Sequence, residues 1–347
     1  MVRSLVRAGA HVLGKSNVPL MLGDFQTHNG IFGTTNNPWD PSRGPGGSSG
    51  GSAAALAAGL TALEIGSDLG GSSRNPAHFC GVYGHKPSWG IVPQQGHELP
   101  GIPASPDMAV PGPMARSAED LALMLSVIAR ASPLDAPGWR LELPPPRKTS
   151  LSGLRVAVWP TDDVSPVTAE ISGRVQDVAD VLARRGAVVS DRARPSFDSA
   201  AYRKTYVALV SAVMGVGLVL DHRAWLAHNA ERTRLRAQWK RFFEDWDIVL
   251  CPVMATTALH HDSRPPSERR IMVDGEAQPY FQQVFWASLA ATAYLPVTVF
   301  PTGLSSEGLP IGLQAIGAGF SDRTTIEFAR LVASELGGFA APPGFSD

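Results

Sequence analysis

Two glycine- and serine-rich turns, GGSSGGS at 46–52 and LGGSSRN at 69–75, constrain this chain more than any other feature of its sequence. A glycine turn that feeds a helix leaves backbone N–H groups uncovered by side chains, and such groups face an anion or an oxyanion. The first turn closes a run from Gly23 to Gly51 dense in Gly, Asn, Pro, Ser and Thr. A compact domain tolerates so long an irregular stretch mainly where it builds a site. A phosphate-cradling loop would need Lys followed by Ser or Thr directly after its glycines, but Gly51 is followed by Ser52 and Ala53. Neither turn fits G-x-G-x-x-G, so nucleotide binding has no motif support in them. Gly46–Gly50 does fit G-x-S-x-G, the nucleophile elbow, with Ser48 as its serine. An elbow follows an apolar strand, whereas TTNNPWDPSRGP, at 34–45, is no strand. The second turn supplies what the first lacks: Ala62–Gly66 is strand-like, and Gly70-Gly71-Ser72 sets N–H donors beside a hydroxyl. Two serine turns facing one another allow a nucleophile and a proton relay without histidine.

Around these turns the pattern is mixed α/β. Val2, Leu5 and Val6 stand at helical spacing over 2–9, and Ala10–Leu13 reads as a short buried strand. Ser52–Ala58 is an Ala/Leu helix. Over 116–131, Ser117 can cap a helix whose stripe is Leu121, Met124, Leu125 and Ile128. Residues 132–152, with Pro144-Pro145-Pro146, form a connector, after which LRVAVW (154–159) reads as a strand. Ile171, Val175, Val178 and Leu182 mark a second amphipathic helix, ended by Gly186 before strand Ala187–Val189, which implies a right-handed parallel crossover. Residues 198–246 read as mostly helical, and 247–253, 295–300 and 311–317 as strands. A turn falls at Asp274-Gly275, and Arg323–Leu336 closes the chain with a helix.

Composition sets outer limits. The 347 residues carry 30 Lys and Arg against 31 Asp and Glu, and 44% are hydrophobic, enough for a sizeable core. A formal net charge of −1 gives no global field for nucleic acid or an anionic membrane, although a local patch can survive the average. Cys80 and Cys251 are too few for a disulfide framework or a zinc site and read as buried free thiols. The basic N-terminus lacks the apolar run of a secretory signal, and the apolar stretch Val207–Leu220 is too short to span a bilayer. These features lead us to expect a cytoplasmic protein.

The motifs also support a family resemblance. GGSSGGSAAALAAG (46–59), GSDLGGSSRNPAHFCGVYGHKPS (66–88) and PGPMARSAEDLALML (111–125) closely resemble the amidase signature enzymes. The likeness continues through GKSNVP, TTNNPWDPSR, DIVLCP, LPVTVFPTG and GLPIGLQAIG, nearly the whole chain. It implies a three-layer α/β/α fold around a central mixed sheet, with residues 1–347 as one domain and 132–152 an internal connector. Carried over by motif, Ser72 is the nucleophile and Ser48 the bridging serine that follows a cis peptide, the two standing 24 positions apart. Leu69, Gly70, Gly71 and Ser72 would offer oxyanion N–H groups. The implied activity is hydrolysis of a carboxylic amide to acid and ammonia or amine, through an acyl-enzyme on Ser72. No metal or organic cofactor is required, the partner is a small amide, and a homodimer is left open.

One departure stands out. The resemblance implies a catalytic lysine on a strand upstream of the GKSNVP-like segment, yet the only lysine before Ser48 is Lys15, within GKSNVP itself. The chain thus reads as an amidase lacking its N-terminal segment. Two alternatives follow: a catalytically silent amidase-like protein, or the glutaminase subunit of a tRNA-dependent amidotransferase. Other residues have plainer readings. Ser49 and Ser73 are structural hydrogen-bonders, Asp68 and Arg74 brace the turns, and His260-His261-Asp262 lies on a solvated loop without a ligand cluster. His78, His85 and His97 show no spacing that selects a Ser/His site, and Leu20–Phe25 falls where the family's acyl pocket would be, though core packing accounts for it equally.

Overall fold

The computed structural model describes residues 1–97, 105–215, 217 and 219–345. The first third runs α1 (Val2–Arg7), a two-residue hairpin pair β1 (His28–Asn29) and β2 (Gly33–Thr34), α2 (Gly50–Ala57), β3 (Leu63–Asp68), α3 (Arg74–Cys80), β4 (Tyr83–Lys86), β5 (Val110–Ala115) and α4 (Ala118–Ile128). The middle holds β6 (Arg155–Val158), α5 (Ala169–Arg184), β7 (Val188–Ser190), α6 (Ser199–Met214), α7 (His222–Asp245) and β8 (Ile248–Pro252). A hairpin of β9 (Arg270–Val273) and β10 (Glu276–Pro279) follows, then α8 (Val284–Ala293), β11 (Val297–Leu304), β12 (Pro310–Ile316) and α9 (Asp322–Leu336).

Eight strands form one mixed sheet in the order β3-β5-β4-β11-β12-β8-β6-β7. Pairing is antiparallel from β3 across to β8, and parallel where β6 meets β8 and β7. Side-chain alternation along the central strands then decides which helix lies on which face. Thr298 bonds Thr325 and Phe300 packs on Phe328, so one face carries α9. Gln314, paired in register with Val299, points the other way and bonds Arg74 of α3 and the Trp286 carbonyl at α8. The result is the expected α/β fold with helices on both faces of a mixed sheet.

Local sequence explains most element ends. Ser117 Oγ accepts from Asp120 N at 3.1 Å and caps α4, whose buried stripe is the one read from spacing. Thr168 caps α5, and Ile171, Val175, Val178 and Leu182 face inward. The Asp274-Gly275 turn joins β9 and β10 with both residues at positive φ, 47° and 88°. Both cysteines are buried free thiols.

Some expectations fail. Ala10–Leu13 is exposed and irregular, because no strand among the described residues pairs with it, and an unpaired strand leaves its backbone groups to water. β3 runs two residues beyond the expected end at Gly66 and finishes on Asp68. Residues 132–152 are irregular as expected, yet Leu143 and Leu151 are buried, and Arg147 N–H groups donate to the carbonyls of Phe243 and Trp246. The expected helical stretch 198–246 is two helices, and Val216 and Leu218 between them lie outside the described residues. No helix of the described residues is long and apolar enough to cross a membrane.

Candidate active site

The second serine turn is organised by one buried ion pair. Asp68 ends β3 with its side chain inward, and Arg74 begins α3; their closest approach is 2.8 Å, and both side chains are essentially inaccessible. Asp68 Oδ1 accepts from Gly71 N at 3.0 Å and from Arg74 Nη2. Its Oδ2 accepts from Ser73 N, Ser73 Oγ and Arg74 Nε. Burial alone would raise the Asp68 carboxyl, but the Arg74 guanidinium and these N–H donors outweigh it and hold the group at about 2. Arg74 also donates to the Ala287 carbonyl and to Gln314 Oε1, which ties the turn to α8 and β12. The bracing reading of Asp68 and Arg74 holds, and Ser73 is a structural hydrogen-bonder.

The first turn is threaded against the second. The Gly47-Ser48 peptide is cis, as the resemblance implies. Ser49 N donates to the Ser72 carbonyl at 2.9 Å, and Gly47 N donates to Asn75 Oδ1 at 2.9 Å. Ser49 Oγ accepts from Ser67 N, its expected structural role. Gly46 sits at φ +84°, where a Cβ would collide with Asn75 Oδ1 and lie 2.8 Å from Pro76 Cα, so only glycine fits. Ser48 is buried and Ser72 partly exposed. The backbone, not the hydroxyls, joins them: no hydrogen bond links the two side chains among the described residues.

The four expected oxyanion donors are not equivalent. The Gly71 N–H donates to Asp68 Oδ1 at 3.0 Å. The N–H groups of Leu69, Gly70 and Ser72 have no such partner among the described residues. Tyr206 of α6 reaches over this stretch; its hydroxyl donates to the Leu69 carbonyl at 3.5 Å and would lie 2.8 Å from a Cβ at Gly70. Val284 and Ala287 of α8 complete the cover. The wall beside Leu69 is apolar, built from Met108, Leu209, Ala291, Val210 and Val213.

The first turn is backed by Asp24, whose carboxylate accepts from Arg269 Nη1 at 2.7 Å and from the Tyr280 hydroxyl at 2.9 Å. Phe25 packs on Tyr280 and Phe281 with ring centroids 5.9 and 5.4 Å apart. Leu20 and Met21, at the other end of that segment, are exposed.

Two lysines bear on the proton question. Lys15 is exposed and forms no hydrogen bond with either serine among the described residues. Lys86, whose only mark in the sequence is its place in a motif, is fully buried, and its Nζ donates to the carbonyls of Leu295 at 2.8 Å and Pro87 at 3.2 Å. Burial, and then the Arg74 charge, brings its ammonium down to about 7. Its sequence neighbours Gly84, His85, Pro87 and Ser88 give no hydrophobic signal that would have flagged the burial. The histidines are structural. Gly312 N donates to His78 Nδ1, so Nε2 carries the proton given to the Thr256 carbonyl, while His85 bridges Thr298 and Asp322. His260 and His261 are exposed, and no cluster fit for a metal occurs among the described residues.

Comparison with known proteins agrees with this architecture. A family model of amidases matches residues 1–217 and 213–326. A glutamyl-tRNA(Gln) amidotransferase subunit from Alkaliphilus metalliredigens is 30% identical, across 99% of this chain and 77% of that protein. The indoleacetamide hydrolase of Bradyrhizobium diazoefficiens is 31% identical, across 97% and 67%. The solved structure of a glutamyl-tRNA(Gln) amidotransferase subunit from Thermotoga maritima superposes with a TM-score of 0.81 at 27% identity, covering 98% of this chain and 78% of that one. Fold, turns and relatives agree on an enzyme class built on a mixed α/β sheet. The chain belongs to the amidase family, the amidase signature enzymes.

Proposed function

We propose that the protein hydrolyses a carboxylic amide through an acyl-enzyme on Ser72. Ser72 Oγ attacks the carbonyl carbon, and its proton passes by way of the Ser48 hydroxyl to the leaving nitrogen as the C–N bond breaks. Ammonia or an amine departs, and water then attacks the ester carbonyl to release the acid and restore Ser72. The N–H groups of Leu69, Gly70, Gly71 and Ser72 receive the oxyanion, the Gly71 N–H being the one that also bonds Asp68, and each such donor contributes about 2.7 to 4 kcal/mol to the barrier reduction. One observation carries the reading: the two serine turns interlock through Ser49 N and the Ser72 carbonyl, with Asp68 and Arg74 fixing the nucleophile's turn from below. The 132–152 connector, held to α7 by Arg147, is part of the same amidase-signature domain in this reading.

A second reading has its own support. Neither Lys15 nor Lys86 is bonded to a serine hydroxyl, so an amide-binding protein without turnover is the alternative. A third, an amidotransferase-type glutaminase subunit, follows from the relatives. A fluorophosphonate probe with mass spectrometry, paired with ammonia release from a panel of amides, separates the three. Labelling of Ser72 with ammonia release by the isolated chain, both lost in Ser72→Ala, supports the hydrolase and counts against the obligate subunit. Folded protein that neither labels nor releases ammonia sinks it.

A further inference from the structure

A groove of about 1150 Å3 opens between α7, the connector after α4 and the segment that leads into α9. Five cations line it, Arg147, Lys148, Arg155, Arg236 and Lys240, against two carboxylates, Glu244 and Asp247. Asp247 is already shared: Arg147 and Arg155 both donate to its Oδ1, at 3.0 and 2.8 Å. Lys148, Arg236 and Lys240 are exposed and have no acidic partner among the described residues. This is the kind of local patch that a net charge of −1 conceals. A convex basic surface would be ordinary solvated lysine, but a concave one with low-dielectric walls focuses its field on whatever enters.

Two further features suit a ligand. Arg236 is held in place over the Tyr294 ring, 4.9 Å from the centroid, so its guanidinium is oriented before anything binds. Phe320 also lines the groove with its ring half exposed, in the left-handed backbone region at φ +65°. Its N–H donates to Ser88 Oγ at 2.8 Å. A bulky residue adopts that conformation only where its surroundings impose it, and such strain gathers at ligand-binding positions.

We infer that this groove binds a phosphate ester of nucleotide size, with Lys148, Arg236 and Lys240 on the phosphates and Phe320 under a flat ring. Guanidinium forks and ammonium point charges match phosphate oxygens, and the volume accommodates such a molecule. The site is distinct from the serine turns: Ala287 of α8 abuts Gly71 and Ala293 lines the groove, a separation of about 9 Å along the helix axis.

Calorimetric titration of the whole chain with ATP, in roughly 50 mM salt so that screening is modest, tests this. One saturable site is expected, its Kd raised about tenfold or more in K148E/K240E. F320A is expected to weaken ATP to the affinity of tripolyphosphate, which wild type binds less tightly than ATP. Both lysines are exposed and their ammonium groups make no hydrogen bond among the described residues, so the variant's thermal midpoint without ligand should equal that of wild type and separate lost binding from lost folding. No saturable heat up to roughly 5 mM ATP, a Kd unchanged in K148E/K240E, or equal affinity for ATP and tripolyphosphate would overturn the assignment.

Discussion

Replacing Asp68 by Asn keeps the shape of the side chain and removes its charge. In the native turn six donor groups converge on the carboxylate: Gly71 N, Ser73 N, Ser73 Oγ, and N, Nε and Nη2 of Arg74. An amide offers one oxygen and one NH2, so at least two of these donors would face another donor. Arg74 would keep only neutral acceptors, the new amide oxygen, the Ala287 carbonyl and Gln314 Oε1, for a charge with no access to water. Leaving one member of a buried pair uncompensated costs about 3–5 kcal/mol, a large part of a domain's usual margin of about 5–15 kcal/mol. The chain should therefore still fold, but its urea midpoint should drop sharply, and fluorophosphonate labelling of Ser72 should slow because Gly71 N and Ser73 N lose their anchor. The double variant D68N/R74M removes both charges and should regain part of the lost stability, since no unpaired ion remains. If D68N loses less than about 1 kcal/mol, or the double variant is no more stable than D68N, the unpaired-charge argument is refuted.

Gly46→Ala should destabilise the fold by about 1–3 kcal/mol and abolish Ser72 labelling, because its Cβ would collide with Asn75 in a positive-φ position; urea unfolding and the probe assay read both effects. His78, brought down from 6.5 to about 4 by burial, binds no proton in the native state where the unfolded chain does, so stability should fall as pH drops from 6.5 toward 4. That part of the acid limb should flatten in His78→Gln, measured by urea midpoints across pH. Lys86 titrates the same way at higher pH. Its native value near 7 lies below the ordinary 10.5, so the unfolded state carries the extra proton between them and stability should rise with pH over that window. Lys86→Met should remove the rise, and an unchanged slope would mean that Lys86 is charged in its pocket.

Much of the fold was legible because periodicity and capping depend on nearby residues. The stripe of α4, the Thr168-led helix α5 and the β6–α5–β7 crossover each follow from spacing over a few turns. The misses are elements whose stability comes from distant partners. β5 reads VPGPMA, a segment that local propensity rejects, yet it pairs with β3 along its whole length. It meets β4 only at Met114 and Ala115, so Pro111 and Pro113 lie where β4 asks for no donor. α8 is apolar on every side, so it has no stripe to detect; it is buried between the sheet, α6 and α7. Ala10–Leu13 is the converse case, an apolar run with no strand beside it among the described residues.

The site shows the same division between composition and placement. Glycine and serine content, with the motif likeness, was enough to single out the two turns, because only small residues allow backbones to approach as closely as Gly46 and Pro76 do. Which N–H groups of the turn are bonded within the protein was not readable, since that depends on where β3 ends. Ending the strand at Gly66 leaves Asp68 in the loop as one polar residue among several. In the folded chain β3 continues in register with β5 until Asp68 stands opposite Val110, and alternation along the strand turns Gly66 and Asp68 inward. The carboxylate thereby arrives beneath the turn, draws in Arg74 and accepts the Gly71 N–H. A register two residues longer than the hydrophobic pattern implies thus decides which backbone donors of the turn are bonded within the protein, and no local pattern around Gly70-Gly71-Ser72 encodes it.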